Sequence, residues 1–196
     1  MKLKLLGLDP SLSNFGIAKM TLDLTDRSLD LDDLVLVKTE PEQDKKKKKA
    51  VRQNSLDLER GRILHDALIE HAQGFQIAVA EVPVGSQSAR AMASYGVCIG
   101  VLAACPIPMI QVTPSEVKMA GFGVKTATKD EMIEWALQTY PAANWLRYAQ
   151  NGKTYKKGEP SAANEHLADA VAAVHAGILT DQFRQATALM RGLKAA

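Results

Sequence analysis

The sequence has no long uninterrupted apolar segment. Its longest such stretch, GVCIGVLAACPIPMIQV from Gly96 to Val112, is broken by two prolines and is short for a bilayer span. The opening residues MKLKLLGLDP lack the apolar core and small-residue cleavage site of a signal peptide, so a cytoplasmic protein is expected. Cysteine is scarce, with Cys98 and Cys105 alone. On one helix these two would stand about 10 Å apart along the axis, too far for a disulfide. Free, buried thiols in a reducing compartment are the expectation. Net charge is only +2, so a polyanion-binding surface would have to arise from local clustering. There is no internal repeat. The one segment with the look of a phosphate loop, GFGVKT at 121–126, lacks the Gly-Lys-Ser/Thr ending.

What is present is the composition of a globular domain. Hydrophobic residues make up 46% and charged residues 23% of 196, enough for one sizeable core. The chain is expected to form a single domain over 1–196. Its elaborations would be a basic loop at 40–52, an irregular insert at 141–163 and a helical tail at 178–196.

Hydrophobic periodicity predicts the elements. Residues 2–9, 14–22 and 31–40 read as three strands with short links, hence an antiparallel meander. The polar run EPEQDKKKKKAVRQ is a loop. A helix over 54–72, a buried strand over 75–82, a helix over 88–104 and a strand over 106–112 follow. Thr113-Pro114-Ser115-Glu116 and Thr128-Lys129-Asp130-Glu131 are capping boxes. The second opens a helix to about Gln138. A last helix begins near Asn164, with a break at Gly177. The predicted architecture is α/β: a five-stranded mixed sheet, three antiparallel strands followed by alternating helix and strand, flanked by helices.

Three acids stand where apolar residues would be expected. Strand alternation puts Leu3, Leu5 and Asp9 on one face, and Leu6 and Leu8 on the other. Glu81 ends the fourth strand on the side of Phe75, Ile77 and Val79. Asp169 lies among Leu167, Ala168, Val171 and Ala172, with His166 one turn earlier on the same helical face. Taken singly, each acid has a plain reading. Asp9 would be a solvated strand end, Glu81 the exit before Val82-Pro83, and Asp169 the partner of a neighbouring Lys or Arg. Jointly, three acids on three elements suit a two-metal site, because like charges so close need divalent cations between them. Oxygen ligands with at most one imidazole suit Mg²⁺ or Mn²⁺ better than zinc.

At these residues the sequence resembles the RuvC family of Holliday-junction resolvases, in the ribonuclease H-like superfamily. The resemblance runs from residue 3 to about 177. LLGLDPSLSNFGIA matches the first acidic strand, and IAVAEVPVGSQSARAMASYGVCIGVLAA the second with its helix. VTPSEVKMAGFGVKTATKDEM matches the DNA-contacting segment, and EHLADAVAAVHA the last acidic motif. The wording of the last two motifs is similar to bacteriophage-type members. The resemblance implies a ribonuclease H-like fold and a metal-dependent, structure-selective endonuclease. It would resolve four-way DNA junctions as a homodimer, in a bacterial or phage-infected cytoplasm, and leave 5′-phosphate and 3′-hydroxyl ends.

It implies two Mg²⁺ ions per site, with Mn²⁺ as the substitute. Asp9 would bridge them, and Glu81 and Asp169 would hold one each. His166 would be a ligand or a positioning group near the attacking water. Lys118, Lys125 and Lys129 would contact DNA. The run Lys45, Lys46, Lys47, Lys48 and Lys49 reads either as a solvated loop or as a DNA-backbone contact. An aromatic often found three residues after the second acid is replaced here by Val84. That departure keeps open a broader debranching nuclease acting on three-way junctions and flaps. From other classes, an actin-like ATP-binding fold would need a second Gly-rich phosphate loop, and a silent junction-binding protein would not need the acids. Ser115 with Lys118 resembles a nucleophile pair, but Ser115 already fits a helix start. His65, His71 and His175 read as structural or surface residues, and Trp135 and Trp145 as core or dimer residues.

Overall fold

Gly7 and Asp9 continue the face of β1 (Lys2–Pro10) that Leu3 and Leu5 begin, and this face defines one of the two layers. The computed structural model describes residues 1–39 and 52–195. The Lys45–Lys49 run therefore lies outside the described residues. β1 pairs antiparallel with β2 (Asn14–Asp23), which pairs antiparallel with β3 (Leu29–Lys38). The turn between β1 and β2 closes on Ser11, whose hydroxyl donates to the Asn14 carbonyl at 2.6 Å and accepts its N–H at 3.1 Å. That is the local bonding expected of a Pro-Ser-x-Ser-Asn sequence.

After α1 (Gln53–His71), β4 (Ile77–Glu81) enters parallel to β1. Helix α2 (Ala89–Ala103) crosses over to β5 (Met109–Val112), parallel to β4. The sheet has five strands in the order β3-β2-β1-β4-β5, which is the mixed sheet expected. Then follow α3 (Pro114–Ala120), α4 (Lys129–Thr139), α5 (Asn164–Gly177) and α6 (Asp181–Ala195). Both predicted capping boxes form: Thr113 accepts from the Glu116 N–H, and Thr128 from the Glu131 N–H.

The two sheet faces are buried by different helices. Leu3, Leu5, Ile77, Val79, Ile110 and Val112 pack beneath α5, with Met132, Ile133 and Ala136 of α4. Leu6, Leu8, Ala78 and Ala80 pack under Leu64 and Leu68 of α1 and Cys98, Val101 and Leu102 of α2. The α5 side is unusually close. A Cβ on Gly7 would sit 2.1 Å from the Ala170 carbonyl oxygen, and one on Gly16 would sit 2.0 Å from that of His166. Glycines on the sheet and alanines on the helix bring the two backbones together.

Several expectations are corrected. β4 starts at Ile77, and Phe75 packs on the opposite, α1–α2 side, because the chain before Ile77 is still the turn that follows α1. β5 starts at Met109, since Pro106 and Pro108 cannot donate to a ladder. Cys105 lies beyond the end of α2 and is free, as is Cys98. Trp145 is buried, its Nε1–H donating to the Tyr140 carbonyl at 2.8 Å, and Trp135 meets His175 edge to face. Both tryptophans therefore belong to the α4–α5 packing. Among the described residues no helix is long and apolar enough to cross a membrane.

Candidate active site

The parallel register sets the first two acids side by side. Leu8 of β1 is opposite Ala80 of β4, and the next residue on each strand is Asp9 and Glu81. Both therefore sit at the carboxyl ends of adjacent parallel strands, where open α/β sheets present their ligand sites. Across the other edge of β1, Asp9 pairs with Gly16, the residue that touches the first turn of α5. That contact brings His166 to Asp9: imidazole Nδ1 and carboxylate Oδ2 are 2.7 Å apart. Asp9 is 13% and His166 20% exposed at the side chain, so this pair is mostly shielded from water.

The electrostatics record how crowded the acids are. Burial, then the charges of Asp9 and Asp169, pushes the Glu81 carboxyl up to about 8. Burial, then the charges of Asp9 and Glu165, pushes Asp169 up to about 7. Lys118, in the last turn of α3, pulls both back down. Burial alone would depress His166, but the hydrogen bond and charge of Asp9, with Glu165 and Asp169 beyond, outweigh it and hold the ring above its usual value. At neutral pH the cluster thus keeps protons that isolated carboxylates would have lost.

The structure brings together Asp9, Glu81, His166, Asp169 and Lys118. It adds Glu165, which lies outside the residues expected from the sequence. The available signal was the i, i+4 spacing of Glu165 and Asp169, which places both on one face of α5. Lys129, the first residue of α4, reaches this group through an ion pair of 2.6 Å to Glu165 Oε1. Its amine is thus tied to an acid rather than left free at the helix start. Lys125 is exposed on the loop between α3 and α4. His65 pairs with Asp66 on the surface, and His175 bonds the Tyr140 hydroxyl at 2.8 Å, both away from the cluster.

Among the described residues no three acid, imidazole or thiol groups already close around a metal position. The donor set nonetheless fits a hard divalent cation. Three carboxylates and one imidazole are the hard oxygen and nitrogen donors such an ion takes, although Asp9 Oδ2 and His166 Nδ1 are here hydrogen-bonded to one another at 2.7 Å. The raised carboxyls are those a cation would relieve. Binding would need at least one further carboxylate to swing inward.

No protein-family model matches the chain, and no curated protein matches it by sequence. Solved structures do. Thermus thermophilus RuvC in complex with a Holliday junction substrate superposes at TM-score 0.58 and 20% identity, over 89% of this chain and 92% of its own. A second Thermus thermophilus RuvC structure gives TM-score 0.57 and 21% identity, over 90% and 92%. The chain has a RuvC-like fold. At that identity the likeness speaks for the architecture alone, an α/β five-stranded mixed sheet with flanking helices. The yeast mitochondrial Holliday junction resolvase Ydc2 superposes more loosely, at TM-score 0.48 and 12% identity over 92% of this chain and 86% of its own.

Proposed function

We propose that this protein is a divalent-metal-dependent, structure-selective DNA endonuclease that resolves four-way junctions. The observation that carries the reading is the convergence of Asp9, Glu81, His166 and Asp169 from β1, β4 and α5, with the charge of Lys118 acting on Glu81 and Asp169, inside a RuvC-like fold. The solved Thermus relative with a junction substrate supplies the substrate class.

Asp9, Glu81 and Asp169, with His166 at Asp9, would hold two Mg²⁺ ions, or Mn²⁺ in their place. Bound there, the ions supply an activated water and charge stabilisation for the leaving 3′ oxygen. The chain's own residues do the rest. Asp9 and His166 fix one another's orientation through their short contact. The Gly16 backbone beneath His166 sets how deeply that ring reaches toward Asp9. Lys118 offsets the carboxylate charge and offers a cation to the scissile strand. Lys125 and Lys129 stand on the segment after α3 and would meet the DNA backbone, with Lys129 exchanging Glu165 for a phosphate.

A junction with two-fold symmetry requires paired cuts, which suits a homodimer. The exposed apolar residues Leu58 and Ile63 of α1 and Met92 and Ile99 of α2 support such pairing on the face remote from α5. The phage-type character of the last two motifs stays part of this proposal. A broader debranching activity is the second reading, favoured by Val84. It is 80% exposed after Glu81, and no aromatic stands there to wedge a junction open.

The test is cleavage of a fixed four-way junction, a three-way junction, a flap and a linear duplex, with Mg²⁺ and with Mn²⁺. Symmetric nicks with ligatable ends on the four-way junction are expected. Absence of any metal-dependent nicking would refute the reading, and equal cutting of all branched forms would favour the broader one.

A further inference from the structure

The insert between α4 and α5 has neither helix nor strand, yet it is tightly built. Arg147 and Pro160 form an isolated antiparallel bridge. The Tyr148 N–H donates to the Glu159 carbonyl at 3.0 Å, the Gly158 N–H to the Tyr148 carbonyl at 2.9 Å, and the Ser161 N–H to the Leu146 carbonyl at 2.9 Å. At the tip, the Gly152 N–H donates to the Tyr155 carbonyl at 2.9 Å, and the Lys157 N–H to Asn151 Oδ1 at 2.8 Å. The Tyr148 and Tyr155 rings stack, with centroids 3.6 Å apart and planes 11° from parallel. Gly152 lies under that stack: a Cβ there would sit 2.3 Å from Tyr155 Cζ.

We infer that this loop, 146–161, is a prefolded cationic platform for the phosphate backbone of one duplex arm of a branched DNA. The inference rests on the nuclease reading above. Lys153, Lys156 and Lys157 are exposed on the loop, and none has an acid within ion-pair distance among the described residues. Other cations do: Lys19 pairs with Asp33, Lys129 with Glu165, Arg90 with Asp57. The loop's one acid, Glu159, has Oε2 occupied by the Lys156 backbone N–H at 2.7 Å. Three like charges within five residues repel one another, and a fixed backbone holds them together regardless. A polyanion relieves that repulsion and releases its own counterions. Because the loop is already ordered, binding does not have to order it.

The platform is also registered to the site. Asn164, the first residue of α5, is fully buried and grips Leu146 from both sides. Its Oδ1 accepts the Leu146 N–H at 2.9 Å, and its Nδ2 donates to the Leu146 carbonyl at 2.9 Å. Glu165 and His166 are the next two residues. The groove between α4 and the loop is lined by Asp130, Glu134 and Glu159 and by none of the three lysines. A phosphate is turned away from that side, so DNA would approach from the lysine side.

The test uses the full chain with Ca²⁺ in place of Mg²⁺, reading the affinity for a fixed four-way junction by fluorescence anisotropy across a salt series. Replacing Lys153, Lys156 and Lys157 with serine is expected to reduce the slope of log affinity against log salt by about 2–3, at about 0.9 per phosphate contact. Gly152→Ala, which keeps every lysine but displaces Tyr155, is expected to weaken binding as well. A control carrying Lys2→Ser, Lys4→Ser and Arg27→Asn, at the far end of the sheet, is expected to leave the slope unchanged. An unchanged slope in the loop variant, or an equal loss in the control, overturns the platform. Failure of the unaltered protein to bind any branched DNA would overturn the nuclease reading itself, and the platform with it.

Discussion

Gly16 of β2 and His166 of α5 are in backbone contact: a side-chain methyl at Gly16 would sit 2.0 Å from the His166 carbonyl oxygen and 2.5 Å from its carbon. Nothing flexible stands there to give way. Gly16→Ala is therefore expected to push the start of α5 off the sheet. The cost should be about 3 kcal/mol or more, the upper range for overpacking. Urea unfolding followed by circular dichroism measures it. Cleavage should fall further than stability requires, because the same contact sets the His166–Asp9 approach of 2.7 Å.

Asp9→Asn and Asp169→Asn keep shape while removing charge. Each is expected to lower junction cleavage by on the order of 10³-fold, since the proposed ions would lose an anionic ligand. Binding should survive, because lysine contacts to phosphate dominate affinity. Cleavage rates and gel-shift affinities on one synthetic junction separate the two effects. Normal cleavage by Asp9→Asn would remove Asp9 from the proposed site.

Glu81 ties stability to pH and, on the proposed function, would tie it to metal as well. Its folded value of about 8 lies above the ordinary 4.5, so the folded state keeps a proton the unfolded chain releases. That contribution to stability is full below about 4.5 and is lost as pH rises through 8. Without metal, Glu81→Gln should therefore be more stable than the parent at pH 8, by on the order of 1–2 kcal/mol. Mg²⁺ should raise the Tm of the parent more at pH 8 than at pH 6, and calorimetry at pH 7 should show protons released on Mg²⁺ binding. Equal Mg²⁺ shifts at both pH values would argue against Glu81 as a ligand.

The parts that were legible in the sequence are those written in local pattern. Alternation along Leu3, Leu5 and Asp9 put an acid on a core face, and the structure finds that face beneath α5. Both capping boxes marked true helix starts. What stayed hidden depends on distant partners. Gly7 and Gly16 look like ordinary strand glycines until α5 arrives above them. Lys129 looks like a free helix-start amine until Glu165 is folded next to it. The loop at 146–161 has no periodicity, because its order comes from side-chain and cross-loop hydrogen bonds that no repeat encodes.

His175 gives a second pH dependence of opposite sign. Burial pulls the ring down to about 4, while it bonds the Tyr140 hydroxyl. The unfolded chain takes up the proton first, near 6.5, so stability is lost as pH falls from about 6.5 toward 4. At pH 5 the loss from this one residue is about 2 kcal/mol. His166, whose value is raised, works the other way and offsets part of it. Comparing urea midpoints at pH 7 and pH 5 for the parent and for His175→Gln isolates the effect. The variant should lose less on acidification, and an identical loss would place the acid sensitivity elsewhere.

Asn164 joins the fold to the loop that precedes α5. Its amide makes two bonds of 2.9 Å with one residue, Leu146, and it is wholly buried. Asn164→Ala leaves the Leu146 N–H without its partner, at a cost of about 1–3 kcal/mol, while the Leu146 carbonyl still accepts from the Ser161 N–H at 2.9 Å. A destabilisation of about 1–3 kcal/mol is therefore expected, read from thermal or urea unfolding. Asn164→Asp keeps the acceptor but removes the donor and adds a buried charge, so it should be no better tolerated. The loop offers the more telling readout. Hydrogen exchange at Tyr148, Gly158 and Ser161, whose N–H groups bond across the loop, should accelerate in Asn164→Ala while exchange in β1 stays slow. If the loop stays protected, its order comes from the Tyr148–Tyr155 stack and the cross-loop bonds alone, and Asn164 serves only to seat the start of α5.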